Sequence, residues 1–276
     1  MNEIALSSVE EIIKELNMLP NGYIFRGQAE ASWRLESSLE RVLGDHWTPS
    51  HARKFEDYGL ARFKPKFHLY DDENLQPTSR LEWLSLMQHY GAPTRLLDFT
   101  ESPFVALYFA LEAINPSVLK SNLNSKMAIY ALDYSRMMDA SLDYIRKKDA
   151  SFSETKLSLQ TRQDEVFDQI VDRFSYPIAW ATEPQRVNKR LDRQSGCFLV
   201  AGDRGLRIEE ILSSAIYKEM ELTKFVIPIG LIEGLYALLR KMNINSKSIY
   251  GDLQGLCRAI RMEMQIYADP VVIEKR

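Results

Sequence analysis

The sequence has few residues of the types that build disulfide frameworks or metal centres, with two cysteines and four histidines among 276 residues. Cys197 and Cys257 are too few for a framework, and both lie in apolar sequence surroundings typical of small core residues rather than nucleophiles. His46 and His51 are five residues apart and would fall on different faces of a helix, so the histidines show no metal-ligand spacing. We therefore expect no metal site.

The sequence also lacks an excess of basic charge and any long apolar run. Its formal net charge is −3 at pH 7, which offers no broad basic surface for nucleic acid. Basic and aromatic residues alternate over residues 49–68, but on a helix this pattern is usually a core stripe beside a solvated face, so we do not expect a nucleic-acid partner. No stretch reaches the length of a membrane span, and residues 1–20 lack a signal-peptide core. We expect a cytoplasmic protein without membrane contact.

The fold class is predicted from short apolar runs, which lie between many segments with helical periodicity. Residues 23–25, 128–132, 196–200 and 222–227 predict strands. They do not alternate regularly with helices, which favours an α+β fold over a doubly wound parallel sheet. The chain is long enough to bury one full core. We expect a helical extension over residues 1–20 and one domain over residues 21–276, with a helical insertion around residues 133–180.

Two buried helices are marked by their capping residues. Ser79 followed by Glu82 is the signature of a capping box, and Gly91 with Pro93 closes the helix that it opens. Ser102 followed by proline predicts the start of a second helix with a core-facing apolar stripe.

The joint between these helices is unusually polar, with His89, Arg95, Asp98, Thr100 and Ser102 in one short stretch. Free N–H groups at the helix that starts at Ser102 suit a phosphate, and Arg95 and Arg26 could donate to the same anion. The sequence leaves a structural alternative open, in which Arg95 pairs with Asp98 across its own turn while Thr100 and Ser102 only cap.

His89 and the segment before residue 196 also admit two interpretations. At a helix C-terminus the charged form of His89 is favoured, which is a structural role, yet it would also lie at the mouth of a cleft. Arg190, Arg193 and Gln194 precede an apolar strand, where polar side chains often face a pocket but equally form a solvated turn.

Four motifs resemble the FRG domain, a bacterial family named for Phe-Arg-Gly and found in prophage, mobile-element and defence settings. They are FRGQ at residues 25–28, QHYGAPTRLLDFT with SPFVALYFA at residues 88–110, NKRLDRQSGCF at residues 188–198, and IYGDLQGL at residues 249–256. The resemblance extends over about residues 22–258 and places the motifs in the family's order.

A more distant resemblance connects the chain to ADP-ribosyltransferases of the Arg-Ser-Glu type. Phe25-Arg26-Gly27 is similar to their first motif, whose arginine holds the NAD phosphates or ribose. Thr100-Glu101-Ser102 is similar to the Ser-Thr-Ser strand that shapes the nicotinamide pocket.

The third transferase motif differs. Where that family has a glutamate pair, this chain has Gln194-Ser195-Gly196, and an amide stabilises the positive charge that develops on the ribose only weakly. Either another acid such as Glu183, Asp192 or Asp98 replaces the glutamate, or the site binds without transferring.

The resemblance implies an α+β, ADP-ribosyltransferase-like fold: a single domain with a split mixed β-sheet, a central cleft and many flanking helices. It implies NAD as cofactor. The catalytic residues would be Arg26, His89, Asp98 and Gln194. The cofactor-binding residues would be Arg26, Gly27, Gln28, Arg95, Thr100, Ser102 and Arg190.

Two functions are compatible with these residues. The first is an NAD-binding ADP-ribosyltransferase-like enzyme of a prophage or defence context, whose protein target the sequence does not name. The second is a non-catalytic FRG module that senses a nucleotide or protein ligand. We also expect Arg26, Arg95 and Gln194, which are distant in sequence, to converge within one pocket.

Overall fold

The computed structural model describes residues 1–71, 75–115, 124–183 and 189–267. In these ranges seven strands form one mixed sheet in the order β1-β7-β4-β2-β3-β6-β5. The strands are β1 (Asn2–Ala5), β2 (Tyr23–Gln28), β3 (Leu97–Thr100), β4 (Lys126–Asp133), β5 (Ala179–Thr182), β6 (Gly196–Ala201) and β7 (Leu222–Pro228). β1 runs parallel to β7, and every other neighbouring pair is antiparallel.

Helices cover both faces of the sheet. In the described ranges the α-helices are α1 (Val9–Met18), α2 (Ser38–Leu43), α3 (Pro49–Phe67), α4 (Arg80–His89), α5 (Pro103–Glu112), α6 (Tyr134–Lys148), α7 (Lys156–Leu159), α8 (Gln163–Val166), α9 (Lys189–Arg193), α10 (Ile208–Leu212), α11 (Ile232–Lys241), α12 (Ser246–Tyr250) and α13 (Leu253–Ile266). A π-helical segment, Phe167–Asp172, continues α8. Asn188, the first residue of the third motif, lies outside the described residues. No helix in the described ranges is long and apolar enough to cross a membrane.

Alternation along the central strands divides the apolar core into two layers. Ile24 of β2 and Tyr130 of β4 belong to a cluster with buried residues of α4 and α6. Phe25 and Ile129 belong to a second cluster, with buried residues of α5 and α11. Because successive side chains of a strand point to opposite faces, both faces of the sheet are covered.

The pairing between β2 and β3 is the shortest in the sheet. These strands share one residue pair, Phe25 with Thr100, whereas β2 pairs with β4 along residues 23–28. Beyond Phe25 the edge of β2 that faces β3 is open. The α+β class, the mixed sheet and the flanking helices are confirmed. The sheet is single rather than split, because the Phe25–Thr100 pair joins its two parts.

The predicted strands all form, while three others escaped prediction. The four apolar runs are β2, β4, β6 and β7. β1, β3 and β5 are each four residues long, too short for an alternating pattern to stand out.

The segment expected to be a helical extension is part of the main fold. α1 forms as expected, but β1 precedes it and pairs with β7. Leu6, Ile12 and Leu16 are buried in the layer that contains α5. The expected insertion around residues 133–180 is mostly helical, yet it ends in β5, which pairs with β6.

Candidate ligand-binding cleft

A cleft opens where β2 and β3 separate, and we refer to it as the β2–β3 cleft. Its volume is 290 Å³. Its lining combines polar side chains with phenylalanines from the strands and α5, among them Phe25, Phe99, Phe109 and Phe198. Seven residues singled out from the sequence line it: Arg26, Gly27, His89, Asp98, Thr100, Arg190 and Gln194. Residues from three of the four motifs therefore meet at one place.

The Phe-Arg-Gly motif is explained by three different contacts. Phe25 is buried in the core layer on the α5 side. Arg26 points to the other face and into the β2–β3 cleft. Gly27 lies directly against α5, where an added Cβ would come within 1.8 Å of the Ala106 carbonyl oxygen. No side chain fits at that position, so the glycine allows α5 to pack on the edge of the cleft.

Among the described residues, the Arg26 guanidinium makes one hydrogen bond and retains an unpaired donor. Its Nη1 donates to the backbone oxygen of Asp98 at 2.7 Å. Its Nε is buried and has no hydrogen-bond partner among the described residues. Burial lowers the pKa of Arg26, and the nearby Asp98 carboxylate opposes that effect. The group stays protonated, since an arginine is not deprotonated in a protein.

The Asp98 carboxylate is oriented at the wall of the cleft. Gln88 Nε2 donates to Asp98 Oδ1 at 2.7 Å, and the Thr94 hydroxyl donates in turn to Gln88 Oε1. His89 also lines the cleft, and its ring packs edge-on against Tyr90 with 4.8 Å between the centroids. The end of α4 thus supplies an amide and an imidazole next to a carboxylate.

Gln194 enters the cleft from the turn before β6. The Thr100 hydroxyl donates to the Gln194 carbonyl oxygen at 2.6 Å, which fixes this turn to β3. The side-chain Nε2 of Gln194 is buried without a hydrogen-bond partner among the described residues. Ser195 has φ of 43°, the left-handed region that non-glycine residues rarely adopt. At Gly196 an added Cβ would lie 2.5 Å from Leu191 Cδ1, so a glutamate there would require the Leu191 side chain of α9 to move.

One wall of the cleft was missed from the sequence. Glu112, near the end of α5, lines the cleft and accepts hydrogen bonds from the hydroxyls of Tyr108 and Tyr250. The guanidinium of Arg190 stacks on the Tyr250 ring at 4.5 Å, and that of Arg258 stacks on the same ring at 4.7 Å. The fourth motif therefore holds Arg190 in place through an aromatic ring. An isolated glutamate at the end of an apolar helix carried no sequence signal for this role.

Arg95, expected among the cofactor-binding residues, lies outside the cleft, and it does not form the alternative pair with Asp98 either. Its Nε lies 2.8 Å from Glu56 Oε2, its Nη2 pairs with Asp172, and its Nη1 donates to the Ala201 carbonyl oxygen at 2.7 Å. We name the surrounding ion pairs the Glu56 network, which consists of Glu56, Asp57, Arg80, Arg95, Asp172 and Arg204. The partners come from α3 and the π-helical segment, so nothing within the local motif could have indicated them. The expected convergence of Arg26, Arg95 and Gln194 holds for the first and last only.

Gln28 and Ser102 also lie away from the cleft lining. Gln28 is buried and donates to the Arg34 carbonyl oxygen at 3.0 Å. Ser102 caps α5 by accepting from the Val105 N–H. The cleft borders the C-terminal half of α5, not the N-terminus that was expected to hold a phosphate. α5 begins just after β3, and only its last turns lie beside the β2–β3 cleft.

Of the three acids considered as replacements for a transferase glutamate, Asp98 alone lines the cleft. Asp192 is exposed on α9. Glu183 is half-buried, and burial together with the nearby charge of Glu101 raises its pKa. In the described ranges no three His, Cys, Asp or Glu side chains are grouped so that they could hold a metal ion.

The segment that contains the first two motifs matches a known protein family. Residues 21–118 match the family model of the FRG domain. The chain contains an FRG domain. Strands β2 and β3 with α4 and α5 lie in this FRG domain, as do Arg26, His89 and Asp98; Arg190 and Gln194 follow it. No curated protein and no solved structure matches the chain.

Proposed function

We propose that the β2–β3 cleft binds a nucleotide, with NAD as the first candidate, and that the protein acts as an ADP-ribosyltransferase-like enzyme. The observation that carries the binding is the pair of buried donors, Arg26 Nε and Gln194 Nε2, both without partners among the described residues. A buried donor that remains unpaired costs about 1–3 kcal/mol, and a ligand acceptor removes that cost.

The charges and rings of the cleft indicate a nucleotide rather than a simple anion. Arg26 of β2 and Arg190 of α9 enter the cleft from different elements, and their guanidinium groups suit phosphate oxygens. The phenylalanines provide apolar surface for a base or a nicotinamide ring. The Asp98 carboxylate in the same cleft can accept a hydrogen bond from a ribose hydroxyl, a group that a simple anion lacks.

Asp98 supports the catalytic part of this proposal. Breaking the glycosidic bond of NAD develops positive charge on the ribose, and a fixed carboxylate stabilises that charge. Asp98 is oriented by Gln88, and His89 lines the same cleft. A non-catalytic sensor module is the alternative, and the amide of Gln194 at the position of the transferase acid favours it.

Binding can be tested by calorimetry and thermal shift with NAD, ADP-ribose and AMP. At a hundred times its Kd, NAD should stabilise the protein by about 2.7 kcal/mol. Arg26→Gln should abolish this shift, whereas the exposed Arg261→Gln, outside the cleft, should retain it. If none of the three nucleotides binds the wild type, the proposed function is wrong.

Catalysis is tested separately with labelled NAD and cell lysate. We expect label transfer by the wild type, and Asp98→Asn should lose it while keeping NAD affinity. Binding without any transfer would favour the sensor. The defence setting, which also belongs to this proposal, predicts that phage resistance conferred by the expressed protein depends on Arg26.

A further inference from the structure

A second cavity adjoins the β2–β3 cleft on the side of α2. Its volume is 190 Å³, and it shares Arg26, Gln88 and Asp98 with the cleft. Ser38 and Arg41 of α2 complete its polar lining. The three shared side chains form the partition between the two spaces, so Arg26 borders both.

Arg41 brings a positive charge that the protein does not neutralise. Its side chain is exposed, and Nη1 donates to the backbone oxygen of Glu36 at 2.6 Å. The Glu36 carboxylate is occupied elsewhere, since its Oε1 lies 3.2 Å from Arg207. Among the described residues no carboxylate lies within ion-pair distance of Arg41.

Arg41 and Arg26 repel each other across this cavity. The charge of Arg41 is near enough to help lower the pKa of Arg26. The Asp98 carboxylate on the same lining offsets part of this repulsion, so the two guanidinium groups leave one positive charge in excess, and an anion between them would neutralise it. Gly91 and Ala92 border the same space without large side chains and leave room for such a group.

We infer that the second cavity is an anion subsite for the ligand of the cleft, with Arg41 and Arg26 on either side of the bound group. This inference rests on the proposed function and narrows the ligand to a nucleotide with two separated anionic groups. The cleft alone, at 290 Å³, is at the small end of the roughly 300–1,000 Å³ typical of small-molecule sites, and the adjoining cavity extends it. A dinucleotide with a further phosphate monoester, such as NADP, has this chemistry, because arginine suits a ribose phosphate.

The test compares NAD and NADP by calorimetry on the wild type, Arg41→Gln and the control Arg261→Gln. We expect NADP to bind the wild type about tenfold more tightly than NAD, the effect of one charge-assisted contact. Arg41→Gln should remove this difference and leave NAD affinity within about twofold, while Arg261→Gln changes neither. Equal weakening of both dinucleotides, or of neither, would overturn the subsite.

Inorganic phosphate separates failure of the subsite from failure of the proposed function. If neither dinucleotide binds and ADP-ribose and AMP do not bind either, the proposed function fails, and phosphate still probes the cavity alone. At ionic strength matched with chloride, phosphate should raise the Tm of the wild type and of Arg190→Gln, but not of Arg41→Gln. The absence of a phosphate-dependent shift in the wild type would then refute the subsite as well.

Discussion

The β2–β3 cleft and the Glu56 network both concentrate arginines, and they differ in what neutralises them. In the network, Arg95 is buried and lies at ion-pair distance from Glu56 and Asp172. In the cleft, Arg26 contacts a backbone oxygen but no described carboxylate at ion-pair distance, and its Nε is without a partner. Arg190 stacks on an aromatic ring.

An arginine in a polar motif is therefore not by itself a ligand contact. Buried arginines whose carboxylate partners belong to the same chain hold structural elements together. A guanidinium with an unpaired N–H in an open cleft can donate that hydrogen bond to a ligand. Each of the following variants tests one side of this distinction.

Arg95→Ala should have the largest effect on stability. It removes the most buried cation of the Glu56 network, and only Arg80 and Arg204 then remain near Glu56 and Asp172; breaking such a buried pair costs about 3–5 kcal/mol. Urea denaturation measures the loss, with Arg146→Ala as control, because Arg146 forms an exposed pair worth at most about 1 kcal/mol. A loss for Arg95→Ala no larger than that of the control would contradict the structural role.

Gly27→Ala should rank second. The new Cβ would meet the backbone of α5 at 1.8 Å, and such overpacking typically costs about 1–3 kcal/mol or more. Gly59→Ala is the matched control, since its Cβ would meet only the flexible end of Met87 at 3.0 Å. Thermal denaturation of both variants gives the comparison, and equal Tm values would show that α5 does not pack as described.

Arg26→Gln should change the stability of the ligand-free protein little. It removes one hydrogen bond to the exposed Asp98, worth about 0.5–1.5 kcal/mol, and relieves the repulsion from Arg41. The Tm without ligand, measured beside Arg95→Ala, checks this. A loss as large as that of Arg95→Ala would erase the distinction between the cleft and the network.

Glu183→Gln should give the smallest change and in the opposite direction. Because the folded-state pKa of Glu183 is raised, its ionised form opposes folding at pH 7, and removing the charge should raise the Tm. The gain should vanish near pH 4, below the ordinary pKa, where the carboxyl is protonated in both states. Glu219→Gln, at an exposed surface position, is the control. A gain that persists at low pH would exclude the electrostatic cause.

Local sequence features predicted much of the fold. The capping box at Ser79 with Glu82 and the cap at Ser102 begin α4 and α5 as expected, because these signals act within one helical turn. The longer apolar strands were equally visible. β3 escaped prediction because four residues with a polar pair among them resemble a loop.

The cleft could be predicted only in part. Arg26, Asp98 and Gln194 stand out in the sequence because a polar side chain beside an apolar run is expected to be partly buried and then needs a partner. The partner of Arg95 could not be found in this way, since Glu56 and Asp172 lie far along the chain on other elements. Glu112 and Arg41 gave no signal, because their importance depends on which helices border the opening of the sheet.

The parallel pairing of β1 with β7 sets an order on folding. Residues 2–5 form their ladder with residues 223–226, so the first strand has no partner until almost the whole sheet has been synthesised. Such non-local pairing is slow to form, because a long loop must close before any contact rewards it. β1 therefore cannot join the sheet before β7 is present. Until β1 pairs, that edge of β7 stays open to edge-to-edge pairing with another chain.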